Sequence, residues 1–270
     1  MPAVGWKTKA GLFVPFDDAI RVAREEGAFE KFPAPVLAAM ENRRDDGFWL
    51  SPSSATRCNR QRVLQSEYDY YQDLEGSWPP FIGNAVHGQI ATGIRNRWGI
   101  HSNMLEERWK TLDLTVHLRD DTTHAFTLQG TPDVFDMDQN TLYDWKTIGD
   151  FVYYDTELKQ KVTRVLPYPE HEIQINLYAL LYQPLVTRAF VWYVKSEGKK
   201  EVTRRLVPVT LYDPQEAYDL ACELAEPLAW AEKTGELPNE RFDPNNYICK
   251  GCPVQDICKH LASVADDTGL

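Results

Sequence analysis

Apolar and polar residues alternate along several short stretches in the middle of the chain, which is typical of β-strands that bury one face. The stretches that show this pattern are residues 105–118, 125–135, 141–148, 189–195 and 202–211. The second and third are joined by a polar turn at 136–140, and Glu197-Gly198-Lys199 separates the last two. The pattern therefore predicts two strand pairs and one weaker strand.

Other stretches repeat apolar residues every three or four positions, which predicts helices. These stretches are residues 16–41, 51–71, 80–97, 170–183 and 213–234. Pro33 and Pro35 divide the first into two short helices, and Ser51 and Asp213 each cap a helix that begins with a proline. In residues 170–183 the apolar residues form one stripe, at Ile173, Leu177, Leu180 and Leu181. Residues 235–270 are predicted as a loop.

The order of these elements predicts an α/β (α+β) core, in which a central sheet is flanked by helices. The chain has 270 residues, which is enough for a large hydrophobic core. We expect a helical N-terminal extension at residues 1–50 and a single domain at residues 51–270. No internal repeat or Gly/Ser linker divides the chain.

Composition and charge narrow the class of protein. No apolar run is long enough to span a bilayer, and residues 1–9 lack a signal-peptide core, so we expect a cytoplasmic protein without a membrane partner. The formal net charge of −11 argues against a protein that coats nucleic acid through bulk positive charge. It does not exclude an enzyme that binds metal ions through carboxylates and holds DNA in one local basic groove.

The strongest chemical signal lies in the first predicted strand pair, where Gly130-Thr131-Pro132-Asp133 is followed by Asp144-Trp145-Lys146. Alternation places Asp144 and Lys146 on the same strand face as Leu142, and such charges are costly there unless the face opens into a site. Asp133 can reach the same site. Two carboxylates and a backbone carbonyl suit Mg²⁺ or Mn²⁺, and a nearby lysine can orient water and stabilise charge on a phosphate. The alternative is a surface Asp–Lys pair beside a turn.

Two predicted helices carry further candidates. Gly83 and His87 are one helical turn apart, and His87 is a candidate metal ligand with His171 as its rival. Gln174 and Tyr178 are also four residues apart and can point at the strand pair. Each has a structural alternative as a residue at the edge of the core.

In this order, Gly83-x3-His87, Gly130-x2-Asp133, Asp144-x-Lys146 and Gln174-x3-Tyr178 resemble the PD-(D/E)XK nuclease superfamily in its RecB-like branch. The resemblance implies a restriction-endonuclease-like core with a mixed sheet. It implies that His87, Asp133, Asp144 and the backbone carbonyl of Trp145 bind the catalytic Mg²⁺ or Mn²⁺. It assigns the catalytic lysine role to Lys146, and it assigns support of the site and contact with the DNA backbone to Gln174 and Tyr178.

The cysteines form a second candidate site. Cys249-x2-Cys252-x5-Cys258 has metal-ligand spacing, and either Cys58 or His260 can supply a fourth ligand. Cys222 is expected to be buried within its helix. The spacing alone admits zinc or an iron–sulfur cluster. One upstream cysteine with a late cysteine group resembles the iron–sulfur nucleases, which include the AddB subunit and the CRISPR-associated Cas-four nucleases. That resemblance implies a structural [4Fe–4S] cluster bound by Cys58, Cys249, Cys252 and Cys258.

Local basic segments are candidate DNA contacts. Arg57, Arg60 and Arg62 lie on a predicted helix beside Cys58. Lys159, Lys161 and Arg164 follow the catalytic strand and lie downstream of the aromatic residues 151, 153 and 154. Basic residues with aromatics suit single-stranded DNA. The alternative is a solvated charged face for the first segment and a mobile loop for the second.

Together these patterns predict a metal-dependent DNA nuclease, an exonuclease acting on single-stranded DNA or DNA ends. A structure-specific endonuclease of the same superfamily is one alternative. A non-catalytic DNA-binding subunit of a recombination or CRISPR-adaptation complex is another. A helicase, recombinase or CRISPR integrase is a candidate partner, and residues 1–50 are where we expect its contact.

Overall fold

A computed structural model describes residues 3–41, 48–98, 104–106, 109–148, 152–155, 160–163, 165–195, 204–239, 249 and 252–268. The α-helices are α1 (Phe16–Glu26), α2 (Ala34–Met40), α3 (Asn59–Glu67), α4 (Trp78–Trp98), α5 (Pro169–Leu181), α6 (Pro214–Thr234) and α7 (Gln255–Thr268). The first strands are β1 (Ala3–Lys7), β2 (Phe13–Pro15), β3 (Tyr70–Asp73), β4 (Met104–Glu106), β5 (Lys110–His117) and β6 (Thr123–Gly130). The others are β7 (Val134–Asp136), β8 (Thr141–Ile148), β9 (Val152–Asp155), β10 (Gln160–Thr163), β11 (Arg188–Lys195) and β12 (Arg204–Val209).

The chain forms two compact units. The first contains Met1–Trp49, Arg57–Asn84 and Pro227–Leu270, and the second contains Leu50–Thr56 and Ala85–Glu226. The N-terminal segment therefore packs with later parts of the chain and carries strands β1 and β2 as well as helices. Alternation did not reveal these strands, because they are only five and three residues long.

The first unit is built on a small sheet in the order β2-β1-β3, in which β1 pairs antiparallel with β2 and parallel with β3. Its core contains Trp6, whose ring meets that of Phe16 edge-on at 4.5 Å. Helix α1 buries Phe16, Ala19 and Ala23, which lie on one face, and ends at Gly27 in the left-handed conformation. Val254 completes this core beside the start of α7.

The second unit is built on a five-stranded sheet in the order β12-β11-β8-β7-β4. Strands β8 and β11 are parallel, and the other neighbours are antiparallel. Helix α5 precedes β11 in the chain and is buried at every position from Gln174 to Leu181. The single apolar stripe predicted from sequence is therefore incomplete, because α5 is enclosed on more than one side. Strands β5 and β6 form a separate antiparallel pair.

This architecture confirms the predicted mixed α/β fold with sheets flanked by helices. Helices α4, α5 and α6 and the antiparallel pair β11–β12 lie where the pattern predicted them, within a few residues. None of the described helices has the length and apolar character that crossing a membrane requires.

Three predicted elements are wrong in detail. Residues 51–71 form a short 3₁₀ helix (Pro52–Ser54), then α3 and β3, because Cys58 has a non-helical backbone and caps the start of α3. Residues 125–135 form two strands, β6 and β7, because the chain leaves the strand at Thr131–Asp133. Residues 235–270 are not all loop, since α7 packs Ile257 and Leu261, four residues apart, against the core of the first unit.

Candidate active site and cysteine site

Strand pairing brings the two acidic residues of the candidate active site together. Strands β7 and β8 pair antiparallel with Val134 opposite Tyr143, so Asp133 and Asp144 occupy the next opposing positions. Asp133 precedes β7, and one of its carboxylate oxygens, Oδ2, accepts the backbone N–H of Trp145 at 2.7 Å. Trp145, which lies between Asp144 and Lys146, therefore holds the Asp133 carboxylate through its backbone N–H.

Asp144 and Lys146 share the buried face of β8, as the alternation predicted. Asp144 is 2% exposed, and Lys146 Nζ lies 2.7 Å from its Oδ2. This contact is an ion pair without hydrogen-bond geometry, and within the described chain Oδ2 has no hydrogen-bond partner. The other oxygen, Oδ1, accepts a long hydrogen bond of 3.4 Å from Gln174 Nε2. Asp144 therefore keeps one buried oxygen that is satisfied by charge alone.

The electrostatics of Asp144 reflect this environment. Burial raises the pKa of Asp144 to about 6, and the negative charge of Asp133 adds to the increase. Lys146 opposes the increase by stabilising the carboxylate. The ionised forms of Asp133 and Asp144 repel each other, and burial increases the cost of the charge on Asp144. A bound cation would reduce this repulsion.

His87 on α4 contacts Asp133. Its Nδ1 donates to Asp133 Oδ1 at 2.9 Å, and this hydrogen bond raises the pKa of His87. The candidate ligands His87, Asp133 and Asp144 therefore belong to one network. The Asp133–His87 hydrogen bond is the contact that a shared cation would replace.

His171, the rival ligand, is engaged elsewhere. Its Nδ1 lies 2.8 Å from Tyr193 Oη, which also accepts the backbone N–H of Tyr168 at 3.1 Å. The tyrosine hydroxyl is therefore left to donate to His171 Nδ1. Burial lowers the pKa of His171 to about 4, which is consistent with a neutral ring that accepts this hydrogen bond.

Gln174 and Tyr178 lie on the buried face of α5, one helical turn apart. Gln174 Nε2 is 3.5 Å from Tyr178 Oη, so the amide connects the tyrosine to Asp144. Burial raises the pKa of Tyr178, with a further contribution from Asp144. Tyr178 also lies close to Gly130, where an added Cβ would be 3.0 Å from the tyrosine ring and 2.8 Å from the ring of Pro52. Gly130 is therefore needed for close packing.

The two carboxylates suit a hard divalent cation, because they offer oxygen ligands and because Asp144 Oδ2 is buried without a hydrogen bond; the imidazole of His87 lies beside them. Within the described residues, no three His, Cys, Asp or Glu side chains are already arranged to share one metal ion. Binding by His87, Asp133 and Asp144 would thus require the Asp133–His87 contact to open. The carbonyl of Trp145 stays a predicted ligand.

The cysteines of the candidate second site all belong to the first unit. Cys252 has its pKa raised to about 11, by burial first and then by its proximity to Cys58, Cys258 and Cys249. A backbone turn holds the late group, since Cys252 N donates to Cys249 O at 3.1 Å and Cys258 N donates to Val254 O at 2.9 Å. The sulfurs of Cys58 and Cys258 accept hydrogen bonds from Gln61 N and Arg60 Nε, at 3.5 and 3.2 Å.

His260, the alternative fourth ligand, and Cys222, the fifth cysteine, lie in other environments. The side chain of His260 is exposed on α7. Cys222 is half-buried rather than fully buried, and its Sγ lies 3.7 Å from the Thr115 carbonyl oxygen in the second unit. Cys258 lies within helix α7 and not in the loop that the sequence predicted.

The basic residues predicted to contact DNA have different environments. Arg57 is exposed, whereas Arg60 is 5% exposed and donates to Cys258 Sγ and the Pro238 carbonyl. Arg62 donates to the Trp49 carbonyl. The backbone of Lys161 is in β10, while Lys159 and Arg164 lie outside the described residues.

Sequence reasoning missed two functional relationships. It did not place Tyr193 beside the site, although the β8–β11 register sets Tyr193 opposite Lys146. It also did not detect that Arg60 faces the thiols rather than solvent. The spacing of Cys58 and Arg60 on one short segment was the available signal, but only packing decides which way a helical arginine points.

Comparison with known proteins identifies the family. A family model of the PD-(D/E)XK nuclease superfamily matches residues 54–259. A solved protein described as "Crystal structure of SSO0001" has a similar fold, with a TM-score of 0.51 and 15% sequence identity over 78% of this chain and 85% of that chain. A search of curated protein sequences gives no match. The matched residues span the β7–β8 hairpin, helices α4 and α5 and all four clustered cysteines, and the chain belongs to the PD-(D/E)XK nuclease superfamily.

Proposed function

We propose that this protein is a metal-dependent DNA nuclease that digests single-stranded DNA or DNA ends. Members of its superfamily are nucleases that typically use Mg²⁺ or Mn²⁺. The observation that carries the proposal is the network around Asp144, in which Lys146, Gln174 and the Asp133–His87 pair meet in one compact unit. A surface Asp–Lys pair, which was the structural alternative, would not bury Asp144 to 2% exposure.

Each residue of the network has a chemical role in this proposal. His87, Asp133 and Asp144, with the carbonyl of Trp145, would hold Mg²⁺ or Mn²⁺, which supplies Lewis-acid activation of water and offsets the charge of the scissile phosphate. Lys146 directs its ammonium group to Asp144 Oδ2 and is placed to orient the attacking water and to stabilise the phosphate oxygens. Gln174 holds Asp144 Oδ1, and Tyr178 packs behind it.

The preference for single strands or ends rests on charge. With a net charge of −11, the protein has little general attraction for duplex DNA, so binding depends on a few local basic side chains. Arg57 is exposed and available for a phosphate contact, and Lys159 and Lys161 remain predicted contacts. Contacts to phosphates alone carry no sequence preference.

The decisive experiment is digestion of end-labelled single-stranded DNA in Mn²⁺ by the wild type and by two pairs of variants. Lys146→Ala and Asp144→Asn should reduce the cleavage rate at least ~100-fold, because they remove the charge stabilisation and a metal ligand. Their controls, Lys110→Ala and Asp113→Asn, change exposed residues of β5 and should keep wild-type rates. Full cleavage by either site variant would exclude this site.

Circular and linear single strands distinguish the two nuclease alternatives. An exonuclease leaves circles intact, whereas a structure-specific endonuclease linearises them. A non-catalytic DNA-binding subunit would bind DNA and show no metal-dependent cleavage with any substrate. A helicase, recombinase or CRISPR integrase remains the proposed partner class, with residues 1–50 as the proposed contact.

We further propose that Cys58, Cys249, Cys252 and Cys258 bind a structural [4Fe–4S] cluster. The supporting observation is that Cys58, Cys249 and Cys258 lie close enough to Cys252 to add to the increase in its pKa that burial causes, and that the sulfurs of Cys58 and Cys258 accept N–H donors. In such a cluster each thiolate binds a different iron, so three sulfurs need not meet at one ion. The cluster would join residue 58 to residues 249–258 and restrict a long loop.

Iron and sulfide analysis of anaerobically purified protein tests this assignment. We expect iron and sulfide in the wild type, and their loss with a lower melting temperature in Cys252→Ala. Cys222→Ala is the matched control, since Cys222 contacts the Thr115 carbonyl instead of the four thiols, and it should keep the iron. Zinc without iron in the wild type would contradict the cluster.

A further inference from the structure

A buried arginine lies against the cysteine site. Arg60 on α3 is 5% exposed, its Nε donates to Cys258 Sγ at 3.2 Å, and its Nη1 donates to the Pro238 carbonyl at 3.2 Å. All of these residues belong to the first compact unit. Two nitrogens of the guanidinium are therefore engaged, and one of them, Nε, donates to a sulfur.

Among the described residues, no carboxylate forms an ion pair with the positive charge of Arg60. A guanidinium does not lose its proton in proteins, and burying a charge without an opposite charge is costly. A carbonyl oxygen and a neutral thiol satisfy its hydrogen bonds but not its charge. A thiolate bound to a metal centre satisfies both.

We propose that Arg60 compensates the negative charge of the four-cysteine metal centre and raises its reduction potential. This inference rests on the proposed iron–sulfur cluster. Four thiolates outweigh the positive charge of the cluster core, and reduction by one electron adds a further negative charge. A buried guanidinium that donates to a ligand sulfur stabilises the reduced state more than the oxidised state, so the potential rises.

Arg57 offers a matched comparison. It is one residue from Cys58 and carries the same charge, but its side chain is exposed, so solvent and salt screen it. Replacing Arg57 removes charge near a ligand without removing a hydrogen bond to sulfur. The difference between the two positions therefore isolates the buried contact.

The test is a potentiometric titration with dithionite as electron donor, followed by electron paramagnetic resonance, on the anaerobic full-length wild type, Arg60→Gln, Arg60→Lys and Arg57→Gln. We expect the largest shift to lower potential in Arg60→Gln and a smaller one in Arg60→Lys, which keeps charge but loses the Nε–H donor. Arg57→Gln should match the wild type. Equal potentials for all four proteins, with the cluster present, would overturn the role of Arg60 and leave the cluster assignment standing.

A second measurement needs no variant to fold. Wild-type protein labelled with ¹⁵N-arginine should show a nitrogen hyperfine coupling in the reduced cluster, because the Arg60 Nε–H donates to a ligand sulfur. Absence of this coupling in a protein that contains iron and sulfide would contradict the inference. A protein that contains zinc or no metal would overturn both the cluster and the role of Arg60, so the two failures are distinguishable.

Discussion

Lys146 Nζ lies 2.7 Å from Asp144 Oδ2, and the two residues are separated by a single position on strand β8. Asp144 is almost completely buried, while Lys146 keeps 19% of its side chain exposed. The ion pair thus has one end in the core and the other near solvent.

In the metal-free protein, the stability of Asp144→Asn relative to the wild type should increase as the pH rises. The pKa of Asp144 is raised from 3.8 to about 6 in the folded state, so the folded protein holds this proton more tightly than the unfolded chain. The contribution of Asp144 to stability is therefore greatest below pH 4, falls as the pH rises to 6, and is constant above that. Because asparagine does not ionise, the variant does not lose this part of the free energy of unfolding, which is at most about 3 kcal/mol.

Urea unfolding at pH 4 and pH 8 with a chelator measures the effect. The stability of Asp144→Asn relative to the wild type should improve by ~1–3 kcal/mol between these pH values, the lower figure allowing for the unpaired Lys146. Asp113→Asn, an exposed position, should show no such change. A pH-independent difference for Asp144→Asn would mean that the carboxylate is not buried in its charged form.

Mn²⁺ binding should weaken as the pH falls from 8 to 6 and should release protons. Burial raises the pKa of Asp144 to about 6, and the hydrogen bond that His87 donates to Asp133 raises the pKa of His87. Both groups must be deprotonated to bind a cation, so protons and Mn²⁺ compete. Calorimetric titrations in two buffers with different ionisation enthalpies count the released protons. Affinity that is constant over this pH range would contradict binding at these residues.

The two histidines should behave differently when replaced. His87→Ala removes a proposed ligand and should reduce Mn²⁺ affinity at least ~10-fold, because even residues that only support metal ligands have effects of this size. His171→Ala removes the acceptor of the buried Tyr193 hydroxyl and should lower stability while affinity changes little. Calorimetry measures the Mn²⁺ affinity of both variants, and thermal unfolding measures their stability. The opposite outcome would make His171 the ligand.

Gly130→Ala should destabilise the second unit by about 1–3 kcal/mol through overpacking. The added methyl group would lie 2.8 Å from the Pro52 ring and 3.0 Å from the Tyr178 ring, so one of these must move. Gly88→Ala on α4 is the control, since nothing lies within 4 Å of its added carbon. It should be neutral or stabilise by up to ~1 kcal/mol, as alanine is the better helix former. Unfolding in urea compares the two, and equal stabilities would contradict the packing argument.

Local patterns in the sequence determined much of the candidate active site. Strand alternation placed Asp144 and Lys146 on one face of β8, and helical spacing placed Gln174 and Tyr178 one turn apart on α5. These predictions depend only on the repeat of a strand or helix, which a few consecutive residues specify. The ordered motif then indicated the family that the family model confirms.

Other features depend on contacts between distant parts of the chain. Asp133 is contacted by His87 on α4, whereas His171 on α5 contacts Tyr193, and both contacts join residues that are distant in sequence. The orientation of Arg60 toward Cys258 joins residues 198 positions apart in sequence. Helix α7 was missed because the cysteines and the proline around its start suggested a loop, whereas the packing of Ile257 and Leu261 against the core of the first unit favours the helix.

The sequence by itself therefore determined which residues share a strand face or a helix turn, and hence the chemistry available to the candidate active site. Only the tertiary structure decided which histidine contacts Asp133, which arginine is buried beside the thiols, and that residues 3–41 and α7 belong to one unit. The physical reason is that local geometry repeats with a fixed period, whereas burial and pairing depend on which surfaces exclude water together.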